Sequence, residues 1–284
     1  MRIFEANISL QVCSFLKDFL NDISSFKNAN QKVFDAFGIN TFFENEDDFQ
    51  RLIESVSTVA ISLVEEPDRA EYGDFQTNKD LANKIAKHLA IKNISPEIVI
   101  EPTCGKGNFI IASLSNFKAV KKVFGIEIYK PYIWETKFGI LDFFLSNPNS
   151  NKPEITITHC SIFDFDFNHI SKQFPTEKLL ILGNPPWVTN SKLGSLNSSN
   201  LPKKTNFKNQ NGLDAMTGKG NFDIAEYITL MLLDAFQSHT GFLALLVKNS
   251  VVKNIVFDQK DKKYRVSEIE RYCIDSKKEF NVSV

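Results

Sequence analysis

The chain has 284 residues, of which 43% are hydrophobic, so it can bury a sizeable core and is not an intrinsically disordered protein. Its net charge of −1 neither indicates nor excludes a nucleic-acid partner. The four cysteines form no Cys-x-x-Cys pair and no secretory or membrane-spanning apolar run occurs, which excludes a disulfide framework and predicts a cytoplasmic protein.

Residues 1–70 are predicted to form a helical N-terminal region. Apolar residues recur at helical spacing over 15–23 and again over 49–60, and the first glycine is Gly38. The region is also acidic, with six Lys and Arg against twelve Asp and Glu. Such a surface repels a phosphate backbone, so we do not expect it to meet nucleic acid directly.

Residues 71–284 are predicted to form an α/β domain. From about residue 95, apolar runs alternate with helical patterns, which predicts a mainly parallel sheet with helices on both faces. Ligands of such sheets bind outside the carboxyl ends of the strands, and each motif below lies at one such end. The predicted strands are 97–101, 121–126, 154–159, 178–183, 242–248 and about 268–274, and the predicted helices are 78–92, 108–117, 131–146 and 222–238.

The first motif is a glycine loop, Glu101-Pro102-Thr103-Cys104-Gly105-Lys106-Gly107-Asn108-Phe109, which follows a buried-strand pattern. Its glycines permit a tight turn and the close approach of a ligand. The loop matches neither the phosphate-binding nor the dinucleotide-binding glycine pattern. Glu101 and Pro102 fit a cationic ligand better, and S-adenosylmethionine carries an ammonium and a sulfonium but no phosphate.

The next two strands end in further candidate cofactor contacts. Glu127, at the end of the second strand, can accept hydrogen bonds from both hydroxyls of a ribose, and Ile128 can then pack on the adenine face. Ser161 and Ile162 follow the third strand, where a polar side chain could contact the exocyclic amine of the cofactor. An ordinary strand with packed Phe side chains is the alternative for this third segment.

The motif Asn184-Pro185-Pro186-Trp187 follows the apolar run 179–183 and predicts a site for a flat amine. The Asn184 side-chain oxygen and the Pro185 carbonyl can accept both amine hydrogens, so that the nitrogen lone pair points at the methyl donor. Consecutive prolines fix φ before the substrate arrives. Stacking of Trp187 on a base contributes about 1–3 kcal/mol. This chemistry is a direct transfer that needs no covalent intermediate and no metal.

A basic loop follows this motif. Residues 188–221 contain five Lys and one Asp, which could hold a nucleic-acid backbone while a base is extruded from the duplex. A solvated loop without a ligand is the alternative. The candidate backbone contacts are Lys192, Lys203, Lys204 and Lys208.

Together, Glu101-Pro-x-x-Gly105-x-Gly107-x-Phe109, Glu127 and the Asn184–Trp187 motif resemble the DNA methyltransferases that form N6-methyladenine. They are most similar to the class whose cofactor motifs precede the NPP[FYW] motif, and the resemblance covers about residues 70–284. It implies a Rossmann-like class I methyltransferase fold with a seven-stranded type of sheet, S-adenosylmethionine as cofactor, double-stranded DNA as substrate and a role in restriction–modification. It also implies cofactor contacts from Phe75, Thr77, Cys104 and Phe109, and stacking of the target base on Trp187 and Phe280.

The chain departs from this family at several positions. The segment Gly73–Thr77 resembles the family's G-x-F-x-T-P segment that folds over the cofactor, but Asn78 replaces the proline and Gln76 an aromatic. Ser161 stands where an acid is usual. The chain also ends where the family continues into a target-recognition domain, so we expect either a fragment or a separate specificity partner.

Three other functions stay open. Release-factor glutamine methyltransferases also combine a helical N-terminal region with an NPP[YF] motif, although they lack the G-x-F-x-T segment and the long basic loop. An RNA adenine methyltransferase would use the same chemistry. A subunit that has lost activity and serves as a binding module would keep the fold alone.

Overall fold

The computed structural model describes residues 2–4, 6–57, 75–189, 223–259 and 264–280. The strands of this part of the chain are β1 Arg2–Ile3, β2 Ala6–Asn7, β3 Ile39–Asn40, β4 Ile98–Glu101, β5 Lys122–Glu127, β6 Glu154–His159, β7 Leu179–Gly183 and β8 Gly241–Leu245. Its helices are α1 Leu10–Leu20, α2 Phe26–Phe37, α3 Glu46–Ser57, α4 Lys79–Ile91, α5 Asn108–Asn116, α6 Lys130–Ser146, α7 Phe167–Gln173, α8 Ile224–Ala235, α9 Asn249–Asp258 and α10 Ser276–Phe280.

Six parallel strands form one sheet in the order β3-β6-β5-β4-β7-β8. Every residue of β4 and β7 is buried, as expected for a parallel strand covered on both faces. Val99 contributes to a core on one face, while its neighbours Ile98 and Ile100 contribute to a core on the other. The predicted α/β fold with a parallel, Rossmann-like sheet is therefore confirmed.

The chain order reverses at the centre of the sheet. From β4 the chain adds β5 and β6 on one side, and then β7 and β8 on the other. In open α/β sheets such a reversal creates a crevice outside the carboxyl ends of the two central strands. Here those ends are followed by the glycine loop, after β4, and by Asn184, after β7.

The N-terminal segment contains helices α1–α3 and also adds a strand to the sheet. Ile39 pairs in parallel with Ile155 of β6, directly after Gly38 ends α2 with a left-handed φ of 73°. Two-residue strands are too short to show an alternating pattern, so the sequence predicted only helices there. The predicted domain boundary at residue 70 lies outside the described residues.

Aromatic side chains join the N-terminal segment to α6. Phe42 and Phe43 are fully buried, and the ring centroids of Phe42 and Trp134 lie 5.7 Å apart. The buried Lys137 donates hydrogen bonds from Nζ to the carbonyl oxygens of Thr41 and Phe42, at 2.9 and 3.0 Å. The chain has 26 Phe residues, and ten of them are buried in the described part of the chain, so Phe is a major component of the core.

The strand predicted at about 268–274 is wrong. Residues 265–275 have no regular secondary structure. Ile269 and Tyr272 are 44% and 56% exposed, so this segment has no buried face that would hold it in a sheet. It lies beside α4, where Lys92 forms an ion pair with Glu270. No helix of the described residues is long and apolar enough to cross a membrane.

Candidate active site

Glu101 ends β4 and is 3% exposed, at the base of the glycine loop. Its Oε2 accepts a hydrogen bond from the Ile110 amide at 3.1 Å. Burial raises the pKa of Glu101 well above its usual range; the Ile110 amide opposes this rise, and the charge of Glu127 adds to it. A cationic ligand at this site would stabilise the Glu101 carboxylate.

Gly105 and Gly107 adopt left-handed φ angles of 51° and 74°, which favour glycine. A Cβ atom on Gly105 would lie 2.3 Å from Gln76 Oε1, and one on Gly107 would lie 2.6 Å from Thr136 Cγ2. The space beside both Cα atoms is thus filled by protein side chains, where the sequence had suggested the close approach of a ligand. Both positions require glycine for backbone conformation and for packing.

The Glu127 carboxylate is oriented by backbone amides at the end of β5. Its Oε2 accepts a hydrogen bond from Gly105 at 2.9 Å, and its Oε1 accepts one from Tyr129 at 2.8 Å. These contacts connect the glycine loop directly to the predicted ribose-binding acid. Ile128 follows and is 40% exposed, as a side chain that packs on a ligand needs to be.

Asn184 follows β7 and has a fixed side-chain orientation. Its Nδ2 donates a hydrogen bond to the Phe75 carbonyl at 2.7 Å, and its own carbonyl accepts one from Thr103 Oγ1 at 3.4 Å. Its Oδ1 is buried and has no hydrogen-bond partner within the described part of the chain. A buried acceptor without a donor costs about 1–3 kcal/mol, so this oxygen is suited to accept a hydrogen bond from a ligand.

Aromatic rings surround the end of the same motif. Trp187 Nε1 donates to the Leu246 carbonyl at 3.2 Å, which ties Trp187 to the end of β8. The Trp187 ring centroid lies 5.6 Å from that of Phe75 and 4.9 Å from that of Phe280. The fold thereby brings Phe280 into contact with Trp187, although the two residues are far apart in the chain. Stacking of a target base on both rings stays a prediction.

Residues 75–78, which we call the strap, cross the glycine loop and the Asn184 motif. Besides the Phe75 contact, Gln76 Oε1 accepts a hydrogen bond from the Lys106 amide at 3.1 Å, and the Thr77 carbonyl accepts one from Asn108 Nδ2 at 2.7 Å. Thr77 is buried, and its Oγ1 has no partner among the described residues. From the sequence, Gln76 was noted only because it replaces an aromatic residue of the family segment. No sequence pattern predicted its contact with the glycine loop.

The strap continues into α4 and meets the end of the described chain. Asn78 Oδ1 accepts a hydrogen bond from the Leu81 amide at 2.8 Å and caps α4. Asn78 Nδ2 donates to Glu279 Oε2 at 3.2 Å. This contact holds α10, and with it Phe280, beside the site.

Several predicted cofactor residues are buried in the protein. Cys104 and Phe109 are 3% and 2% exposed, and Ile162 is 5% exposed in the core on the opposite face of the sheet. Ser161 Oγ accepts a hydrogen bond from the Phe163 amide at 3.2 Å. Local packing thus accounts for these side chains, and their contact with a cofactor stays a prediction.

Other predicted residues lie outside the described part of the chain. The basic-loop lysines belong to it, namely Lys192, Lys203, Lys204 and Lys208, as do Gly73 and Asp74 before the strap. The described residues bring together no group of three or more His, Cys, Asp or Glu that could hold a metal ion.

Sequence comparison finds a relative for most of the chain, while no protein-family model matches it. Over 219 residues the chain is 42% identical to the type II methyltransferase M.NspV of a Nostoc species, an alignment that covers 77% of this chain and 44% of that protein. The chain therefore spans less than half the length of this relative.

Solved structures resemble the chain more distantly. A cryo-electron microscopy structure of a DrdV–DNA complex aligns with a TM-score of 0.49 and 13% identity, over 87% of this chain and 31% of that chain. A modification subunit of a putative type I restriction enzyme from Vibrio vulnificus YJ016 aligns with a TM-score of 0.42 and 14% identity, over 87% and 54%. TrmN from Thermus thermophilus aligns with a TM-score of 0.36 and 12% identity, over 85% and 70%.

Proposed function

The chain is similar over 219 residues to a type II methyltransferase, and from that premise we propose that it transfers a methyl group from S-adenosylmethionine to the N6 amine of adenine in double-stranded DNA. In this proposal it is the methyl-transferring part of a restriction–modification enzyme. The observation that carries the proposal is the Asn184 amide, whose nitrogen donates to the Phe75 carbonyl while its buried oxygen has no partner among the described residues.

The residues after β4 and β5 fit the cofactor. Glu101 is buried, and burial raises its pKa well above the usual range, so an ammonium or sulfonium nearby would relieve the cost of its charge. We propose that the Glu127 carboxylate, which the Gly105 and Tyr129 amides hold, also accepts hydrogen bonds from the ribose hydroxyls, and that the exposed Ile128 packs on the adenine. When bound, S-adenosylmethionine supplies an electrophilic methyl group on its sulfonium.

The residues after β7 fit the acceptor. Asn184 Oδ1 and the Pro185 carbonyl would accept the two hydrogens of the amine and so orient its nitrogen for transfer. The bound methyl donor would supply the methyl group and leave as S-adenosylhomocysteine, and the methylated amine would release one proton to water. We propose that the base, which must leave the duplex to reach this site, stacks on Trp187 and Phe280, whose rings contact each other edge to face with centroids 4.9 Å apart. Positioning of this kind supplies most of the rate enhancement in a direct transfer.

DNA recognition is a separate part of the proposal. The relative is more than twice as long as its aligned part, so we propose that sequence recognition resides in a segment or partner outside this chain. Within the chain, the basic loop after Trp187 would hold the phosphate backbone of the extruded nucleotide through Lys192, Lys203, Lys204 and Lys208.

The test is methyl transfer from labelled S-adenosylmethionine to mixed-sequence duplex DNA, tRNA and rRNA, and release factor, offered in parallel. Label recovered as N6-methyladenine in DNA is the expected result. Label in release factor would move the function to glutamine methylation, and label in RNA would move it to an RNA substrate. Asn184→Ala serves as the inactive variant and Asn147→Ala as its control, because Asn147 also donates to a backbone carbonyl but lies on the surface.

A further inference from the structure

Gln76 makes a contact that the proposed mechanism does not use. Its carboxamide lies against Gly105, in the space that a Cβ atom would fill at 2.3 Å from Oε1. The same Oε1 accepts the Lys106 amide hydrogen at 3.1 Å. Gln76 therefore holds the turn of the glycine loop at both of its central residues.

This turn is also the one that orients the ribose-binding acid. The Gly105 amide donates to Glu127 Oε2 at 2.9 Å, and the Gly105 carbonyl accepts from Thr136 Oγ1 at 2.9 Å. Gly105 is thus fixed by α6 on one side, by Glu127 on another and by Gln76 on a third. A shift of Gln76 would change the position of the Glu127 contact.

The residue before Gln76 fixes the acceptor side. The Phe75 carbonyl accepts the Asn184 Nδ2 hydrogen at 2.7 Å, and the Phe75 ring lies beside Trp187 with a centroid separation of 5.6 Å. The Phe75 carbonyl belongs to the planar peptide unit that ends at the Gln76 Cα atom. The Gln76 side chain, which accepts the Lys106 amide hydrogen and packs against Gly105, therefore connects the glycine loop to the carbonyl that holds Asn184.

We infer that Gln76 is a positioning residue that couples the glycine loop to the alignment of the Asn184 amide. This inference rests on the proposed function, because it assigns the loop to the cofactor and Asn184 to the base. A methyl donor that binds the glycine loop and fixes its conformation would also fix the positions of Gln76 and Phe75. The Phe75 carbonyl would then hold the Asn184 amide with Oδ1 directed towards the amine. The residue acts through its neighbours and does not itself touch the reacting atoms.

The test compares Gln76→Met with Gln76→Glu and with Gln50→Met. Methionine keeps the length of the side chain but accepts no comparable hydrogen bond from Lys106, whereas glutamate keeps an acceptor oxygen. Gln50 is an exposed glutamine on α3 whose side chain, within the described part of the chain, bonds only Glu46, so it controls for the substitution itself. Calorimetry gives the affinity for S-adenosylhomocysteine, and label transfer to DNA gives kcat at saturating S-adenosylmethionine.

For Gln76→Met we expect S-adenosylhomocysteine to bind about fivefold more weakly, the value of one hydrogen bond. We expect kcat at saturating cofactor to fall about tenfold as well, because a misplaced Asn184 is not corrected by more cofactor. Gln76→Glu should bring both values back to within about twofold, and Gln50→Met should change neither. A purely structural contact would weaken binding but leave kcat at saturation unchanged, and that result would overturn the coupling.

Hydrogen exchange of the Lys106 amide requires no methyl transfer, so it tests the role of Gln76 separately from the proposed function. If the wild-type chain neither binds S-adenosylhomocysteine nor labels DNA, the proposed function fails. The strap contact is then judged by hydrogen exchange of the Lys106 amide, which should be about fivefold faster in Gln76→Met than in the wild type. An unchanged exchange rate would overturn the role of Gln76.

Discussion

Replacing Asn184 with alanine should separate stability from activity. The change removes the 2.7 Å bond to Phe75 and leaves that carbonyl unpaired, which destabilises the fold by about 1–3 kcal/mol. It also removes Oδ1, a buried acceptor without a partner in the described residues, which stabilises by a similar about 1–3 kcal/mol. The free energy of unfolding should therefore stay within about 1 kcal/mol of the wild type, as measured by urea denaturation.

Methyl transfer by Asn184→Ala should fall far more than stability. A preorganised acceptor that acts in the transition state is worth about 2.7–4 kcal/mol, which is about 10²–10³-fold in kcat. Binding of S-adenosylhomocysteine should survive, weakened by no more than about fivefold, because Glu101 and Glu127 are untouched and only the hydrogen bond from Asn184 to the strap is lost. A near-normal transfer rate would refute the acceptor role of Asn184, whatever the stability.

Asn184→Asp tests the orientation of the amide. The change keeps the shape of the side chain but sets a second acceptor oxygen against the Phe75 carbonyl at the 2.7 Å position now held by Nδ2. Two acceptors without a hydrogen between them repel, so we expect a loss of about 1–3 kcal/mol at pH 7 that protonation of the new carboxyl relieves at low pH. A variant as stable as the wild type at pH 7 would mean that the amide is turned the other way.

Three further predictions concern the cofactor loop, the basic loop and the N-terminal core. Gly107→Val should abolish S-adenosylhomocysteine binding in calorimetry, because a Cβ at that left-handed position meets Thr136 at 2.6 Å; unchanged affinity would remove the loop from the cofactor site. Alanine at all three of Lys203, Lys204 and Lys208 should reduce the slope of log K against log salt for DNA by up to about 2.7, and an unaltered slope would make the loop a solvated one. Burial lowers the pKa of Lys137 to about 8, below the usual 10.5, so its charge costs stability fully below about pH 8, and this cost disappears as pH rises towards 10.5. The wild type should therefore gain up to about 3 kcal/mol relative to Lys137→Met between pH 7 and pH 10 in urea unfolding, and a constant difference would contradict the shift.

The strands of the central sheet could be predicted because each is a short apolar run that is buried on both faces. Leu179–Gly183, for example, was predicted to within one residue. The edge strand Ile39–Asn40 could not be predicted, since its pairing with β6 depends on Gly38 ending α2 at the right place. The segment 268–274 has strand-like composition but no neighbour in the described sheet, and composition alone does not reveal a missing neighbour.

The candidate site was predictable where it depends on residue type and order, and unpredictable where it depends on distant contacts. Asn184, Glu127 and the glycines lie at the strand ends to which the pattern assigned them. The contact between Gln76 and Lys106, and the Phe75 carbonyl that turns the Asn184 amide, join segments far apart in the chain. Only the fold brings these segments together.

The adjacency of β5, β4 and β7 has a consequence for the geometry of the candidate site. Glu127 ends β5, the glycine loop follows β4 and Asn184 follows β7, and these neighbouring strands lie about 4.8 Å apart. The distances among these three groups are therefore set by the backbone hydrogen bonds of the sheet and do not depend on the length of any surface loop. Insertions in the loops at the rim of the sheet can change the surface of the protein without changing those distances.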